Sequence, residues 1–178
     1  MAEPHPVVYR SAVLAKVSNA ATSIAIGALR GENSRDKSYE FMKKTAALLS
    51  WSEGRTVEVF APYKHLTKTQ LVELYLNDGF DPLHLTQYTS SCYAEWAYRK
   101  DSVGCGECQA CFRRWVAMYN NGISEEYDNP PWEQAITKSI SWGNVKNLFA
   151  TREIASAYDN NMEAYRALER KRKELDHG

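Results

Sequence analysis

The 178 residues predict an α/β layer that is incomplete by itself, a cysteine-rich unit after it, and a helical C-terminal extension. Three observations carry this reading. Two short β-branched segments alternate with amphipathic patterns over the first eighty positions, the order that gives parallel strands joined by helical crossovers. All four cysteines then crowd into positions 92 to 111, where the periodic pattern stops, and the last segment returns to helical spacing.

Tyr9 to Ala21 is rich in Ala, Val and Leu and predicts a mostly buried helix. Thr22 to Gly27 (TSIAIG) follows as a short β-branched strand closed by glycine. After the polar stretch Arg30 to Lys37, residues Phe41, Met42, Thr45, Leu48 and Leu49 take the spacing of one helical face. Thr56 to Phe60 (TVEVF) predicts a second strand, ended by Ala61-Pro62. Thr67 with Gln70 makes a capping box ahead of Leu71, Val72, Leu74 and Tyr75, and Asp78-Gly79 supplies the stop. Two parallel strands leave both edges open, so further strands are expected from elsewhere.

Leu83 to Cys111 carries little signal for regular structure. Phe112 to Asn121 is expected to be helical, Asn129-Pro130-Pro131-Trp132 to open another helix, and Thr151 to Asp176 to form a long one. The apolar stripe of that last helix is read as Ile154, Tyr158, Met162, Tyr165, Leu168 and Leu175. The expected division is 1–82 for the α/β unit, 83–122 for the cysteine unit and 123–178 for a helical tail.

Twenty-two basic residues balance twenty-two acidic ones, so no global field draws the chain to nucleic acid or an anionic membrane. No apolar run reaches the roughly 20 residues that span a bilayer. Met-Ala-Glu-Pro-His-Pro lacks the basic flank and apolar stretch of a secretory signal, which predicts a reducing, cytoplasmic location.

In that setting Cys92 and Cys105-Gly-Glu-Cys108-Gln-Ala-Cys111 read as a metal site. A C-x-x-C turn offers two thiolates on one tight loop, and Gly104 and Gly106 ease its backbone. Disulfides are disfavoured in a reducing compartment, and free core thiols do not suit the polar, glycine-rich flanks. Zinc is favoured over an iron–sulfur cluster, which uses the same ligands. Four thiolates leave zinc no open position, so its role is expected to be structural. His65 and His84 flank the capped helix as candidates for a cleft, with loop and capping roles the more common reading. His5 and His177 lie near the termini. No Ser/His/Asp set, H-E-x-x-H or G-x-x-x-x-G-K loop is present.

Pro62 to Lys68 (PYKHLTK), Leu85 to Tyr93 ending in T-S-S-C-Y, and C-G-x-C-x-x-C followed by Arg113 and Arg114 together resemble the C-terminal half of the 7-cyano-7-deazaguanine synthase family. Val8-Tyr9-Arg10, Ile24 to Ala28 (IAIGA) and Asp36 to Phe41 (DKSYEF) extend the resemblance over roughly residues 8 to 118. It implies a partial Rossmann-like, adenine nucleotide α-hydrolase-like layer with a zinc-binding knuckle of four cysteines. It also implies ATP- and Mg2+-dependent chemistry: a 7-carboxy-7-deazaguanine carboxylate is adenylated, amidated with ammonia, then dehydrated to the nitrile with a second ATP. Cys92, Cys105, Cys108 and Cys111 match the family's zinc ligands. Arg10, Asp36 and Lys68 match positions near its nucleotide or substrate pocket, where cations can neutralise phosphate and a carboxylate can accept hydrogen bonds from a guanine-like edge.

The family's S-G-G-x-D-S phosphate loop is missing from these residues, Ser11 stands where an asparagine often follows the arginine, and the chain beyond Cys111 exceeds the usual tail. The leading expectation is therefore a subunit of a split synthase, completed by a second chain that supplies the loop and more strands; a homo-oligomer is a further possible assembly. The alternative is an inactive relative kept as a zinc-stapled structural or binding component. A nucleic-acid module using Arg113, Arg114, Trp115 and Tyr119 is the third reading, disfavoured by the neutral charge.

Overall fold

The computed structural model describes residues 22–32, 35–93, 102–133 and 154–177, the side chains of 154–161 excepted. The helix expected over Tyr9 to Ala21, and Arg10 with it, lie outside the described residues. The chain forms two compact units, Met1–His65 and Leu66–Gly178.

In the first unit, strand β1 (Ser23–Ala25) pairs in parallel with β2 (Glu58–Phe60), in register Ser23 with Glu58 and Ala25 with Phe60. These are the two strands the β-branched segments predict. Between them a 3-10 turn (Arg35–Lys37) leads into helix α1 (Tyr39–Glu53). Ser38 caps α1 by accepting from the Phe41 N–H at 3.1 Å, and Gly54 ends it at φ 62°, a left-handed value natural to glycine. Ser50 fastens α1 to the start of β2, its Oγ accepting from the Val57 N–H at 2.9 Å and donating to Val57 O at 3.2 Å. Met42 and Val57 are buried, whereas Tyr39, Leu48, Trp51 and Phe60 are exposed. Among the described residues the sheet has two strands.

The second unit is helical and is organised around α4. Helix α2 (Lys68–Asn77) carries the expected capping box: Thr67 Oγ1 accepts from the Gln70 N–H at 3.2 Å and Gln70 Oε1 accepts from the Thr67 N–H at 2.9 Å. Helix α3 (Pro82–Tyr88) corrects the reading of 83 to 111 as irregular. Asp81 is its N-cap, accepting from the Leu83 N–H at 2.8 Å, and Pro82 takes the first turn, where its missing N–H costs nothing. Helix α4 (Gln109–Asn120) begins three residues before the expected Phe112, because Cys108 caps it.

Helix α4 is buried on two sides. Phe112, Trp115 and Val116 pack with Ala164 and Ala167 of α5 (Ile154–His177), and Ala117 and Met118 pack with Val72 of α2. The stripe expected on α5 is corrected in part. Leu168 packs against the α4 core and Met162 is half-buried, but Tyr165 and Leu175 are exposed. Among the described side chains of the helix the fully buried ones are Ala164 and Ala167; the side chains of Ile154 and Tyr158 lie outside the described residues. Small residues let the two helix backbones approach closely, which a stripe chosen for bulk does not anticipate. At 130–133 one turn forms, with the Glu133 N–H donating to Pro130 O at 3.1 Å; the helix expected to follow lies outside the described residues. No helix of the described residues is long and apolar enough to cross a membrane.

Candidate metal centre and substrate-site residues

The four sulfur atoms converge, all lying within 4.8 Å of one another. Cys92 Sγ is 3.5 Å from Cys105 Sγ and 3.8 Å from Cys108 Sγ, while Cys111 Sγ is 3.5 Å from Cys108 Sγ and 4.0 Å from Cys105 Sγ. A disulfide needs about 2.05 Å. A tetrahedral zinc with bonds of about 2.3 Å sets its sulfurs about 3.8 Å apart, so the observed spacings fit a four-thiolate ion.

The geometry follows from local structure. Cys108 sits in extended backbone just ahead of α4 and its sulfur accepts from the Cys111 N–H at 3.4 Å, so one thiol both caps the helix and faces the site. Gly106 turns the loop at φ 73°. Cys92 arrives on a separate arm after α3, its N–H held by Ser90 Oγ at 3.3 Å. Burial pushes the Cys111 thiol up. Burial also opposes the Cys108 thiolate, yet backbone donors from Tyr93 and Cys111 hold its pKa below the usual thiol value. A bound cation favours the thiolate form at all four positions.

Of the other sequence-predicted residues, Lys68 lies at the first turn of α2 and its Nζ donates to Ser91 Oγ at 3.3 Å, beside Cys92. Asp36 belongs to the first unit, half-buried in the 3-10 turn that follows the carboxyl end of β1. Lys64, inside the PYKHLTK motif but not read there as a site residue, ties that loop together: its Nζ donates to Lys37 O at 3.0 Å and Glu32 O at 3.5 Å. Glu32 itself pairs with Lys37 at 2.9 Å and accepts from the Leu29 N–H at 3.0 Å. His65 and His84 are exposed, His84 resting against the Tyr88 ring. Arg114 and Trp115 are buried, so the reading that gave them phosphate contact and base stacking is corrected. Those solvent-facing roles follow from residue type alone, and α4 turns both side chains inward.

Residues 7–122 match the family described as queuosine biosynthesis protein QueC. The chain belongs to the QueC family. Among curated proteins, this QueC-family chain is 32% identical over 90 residues to the 7-cyano-7-deazaguanine synthase of Methanosarcina barkeri, covering 51% of this chain and 35% of that protein. It is 35% identical over 98 residues to 7-cyano-7-deazaguanine synthase 2 of Sulfurisphaera tokodaii, covering 53% of this chain and 19% of the relative. The synthase of Sulfolobus acidocaldarius gives 33% over 97 residues, with 52% and 19% covered. The chain thus spans about a third or less of these relatives' length. No solved structure matches it significantly.

Proposed function

We propose that this chain is the C-terminal half of a split 7-cyano-7-deazaguanine synthase, completed by a second polypeptide that carries the S-G-G-x-D-S loop and further strands. The carrying observation is that four thiols of a QueC-family segment gather at zinc spacing in residues that align to about a third or less of the curated synthases' length. Two supports come from the first unit. Asp36 follows the carboxyl end of β1, the end at which open α/β sheets bind ligands, and the two-stranded sheet exposes Phe60 among the described residues.

On this reading the sheet belongs to a Rossmann-like, nucleotide α-hydrolase-like layer and the protein works in the cytoplasm. Zinc fills the four-thiolate site and holds the second unit together without touching substrate. Arg10 and Lys68 neutralise phosphate charge of ATP bound with Mg2+, and Asp36 accepts hydrogen bonds from the 7-deazaguanine edge. The substrate carboxylate attacks ATP to give the adenylate and pyrophosphate. Ammonia then displaces AMP to form the amide. A second ATP adenylates the amide oxygen with release of pyrophosphate, and AMP departs with that oxygen as the amide nitrogen gives up its protons, leaving the nitrile.

Coexpression with a chain bearing S-G-G-x-D-S is expected to yield a stable complex that converts 7-carboxy-7-deazaguanine and ammonia to the nitrile only when ATP is present. A stable, metal-loaded complex that consumes no ATP would instead identify an inactive structural relative.

A further inference from the structure

The family match ends at residue 122, yet the wall of the metal centre continues beyond it. The Val103 N–H donates to Glu126 O at 2.9 Å and the Asp128 N–H to Gly104 O at 3.0 Å. Asn129 donates twice to Cys105 O, from its backbone N–H and from Nδ2, each at 3.2 Å. Residues 125–129 therefore run alongside the loop that carries Cys105.

The same segment reaches the Cys92 arm through a buried charge. The Glu125 side chain is 1% exposed and that of Arg114 5%. Arg114 Nε donates to both Glu125 oxygens at 3.0 Å, its Nη2 donates to Oε1 at 2.6 Å, and Tyr127 Oη donates to Oε2 at 2.7 Å. On its other side the guanidinium donates to Thr89 Oγ1 at 2.8 Å and to Leu85 O at 2.7 Å. Thr89 stands three residues before Cys92, and Ser90 between them donates to Val103 O at 3.3 Å. Cys105, Cys108 and Cys111 come from one local loop and helix start, whereas Cys92 depends on such contacts between its arm and the rest of the unit. That arm is the weak point of the ligand set.

From this we infer that residues 125–129 form a strap that sets how firmly the metal centre keeps its ion, with Arg114 and Glu125 as positioning residues for Cys92. The inference rests on the reading that the four thiolates bind zinc. Planar, bidentate pairing and three further directions of donation belong to arginine, so lysine at 114 keeps the charge and loses the link to the arm.

The test measures zinc release from the full chain to an excess of chromophoric chelator. Arg114→Lys and the isosteric Glu125→Gln are expected to release zinc roughly 10- to 100-fold faster than wild type, the usual scale for losing a partner that orients a metal ligand. With Co2+ in place of zinc, both are expected to lose thiolate-to-metal absorption as Cys92 departs. Tyr119→Phe, which alters the α5 contact and leaves the strap intact, is expected to release zinc at the wild-type rate. Loaded variants that release at that same rate overturn the strap alone, as does equal acceleration by Tyr119→Phe. A wild-type chain that retains no zinc or Co2+ overturns the four-thiolate reading as well.

Discussion

A methyl group at position 106 has no room. Its carbon would lie 1.5 Å from Asn129 O, on a backbone whose φ of +73° already disfavours any side chain. Gly79 has a similar φ of +82° but open space around it. Gly106→Ala is therefore expected to destabilise the fold by about 3 kcal/mol or more, against about 1 kcal/mol for Gly79→Ala. Thermal denaturation of the two variants checks this, and equal losses would contradict it. The glycine's place in C-G-x-C is legible as a turn; the reason for its strictness is not, since Asn129 is distant in sequence. Thr67 divides the same way. Its capping box is written within four residues, but Thr67 Oγ1 and Thr69 Oγ1 also donate to the two carboxylate oxygens of Glu163, at 2.7 and 2.8 Å, from a helix nearly a hundred positions on. Arg114 escapes a local reading because its acid, Glu125, lies on a loop with no periodic signal.

Elements built from local rules are legible in the sequence. Both strands, α1 and α2 follow from β-branched runs, helical spacing and cap chemistry, although Leu48 of the face expected on α1 is exposed. Helix α3 is harder to see, although Asp81-Pro82 is a cap followed by a first-turn proline; its seven residues are too few to show periodicity. The inward face of α5 keeps Leu168 of the expected stripe but centres on Ala164 and Ala167, because tight helix contact selects small residues there. Tyr119 adds a polar latch to that contact, its hydroxyl donating to Glu174 Oε1 at 2.5 Å. Burial first, then the Glu174 carboxylate, raises the Tyr119 pKa to about 12, and the Tyr119 hydroxyl holds Glu174 below its ordinary 4.5. A raised tyrosine pKa stabilises fully below the ordinary 10.0 and is lost as pH rises through about 12. A lowered carboxyl pKa stabilises fully above 4.5 and is lost as pH falls below it. The melting-temperature gap between wild type and Tyr119→Phe is thus expected to stay level through neutral pH and close at the alkaline end. A gap that holds constant through deprotonation of Tyr119 would argue against the latch.

At the scale of the whole chain, two compact units divide the proposed work. The first places Asp36 beyond the carboxyl end of β1, and the second gathers the four cysteines and sets Lys68 beside Cys92 through Ser91. The α/β class and the cysteine unit are legible because strand and helix periods and ligand spacing are local. The way the chain after residue 122 is absorbed into the second unit is not, since Glu125, Glu163 and the two alanines act through tertiary contacts. The central claim is that this QueC-family segment handles nucleotide only when a phosphate-binding loop is supplied to it. Equilibrium titration with ATP and Mg2+ tests that most directly, comparing these 178 residues by themselves with their complex with an S-G-G-x-D-S-bearing chain. Saturable, Mg2+-dependent binding by the complex and none by the segment is the predicted result. Saturable binding by the segment itself, or a stable complex that binds no ATP, would contradict it.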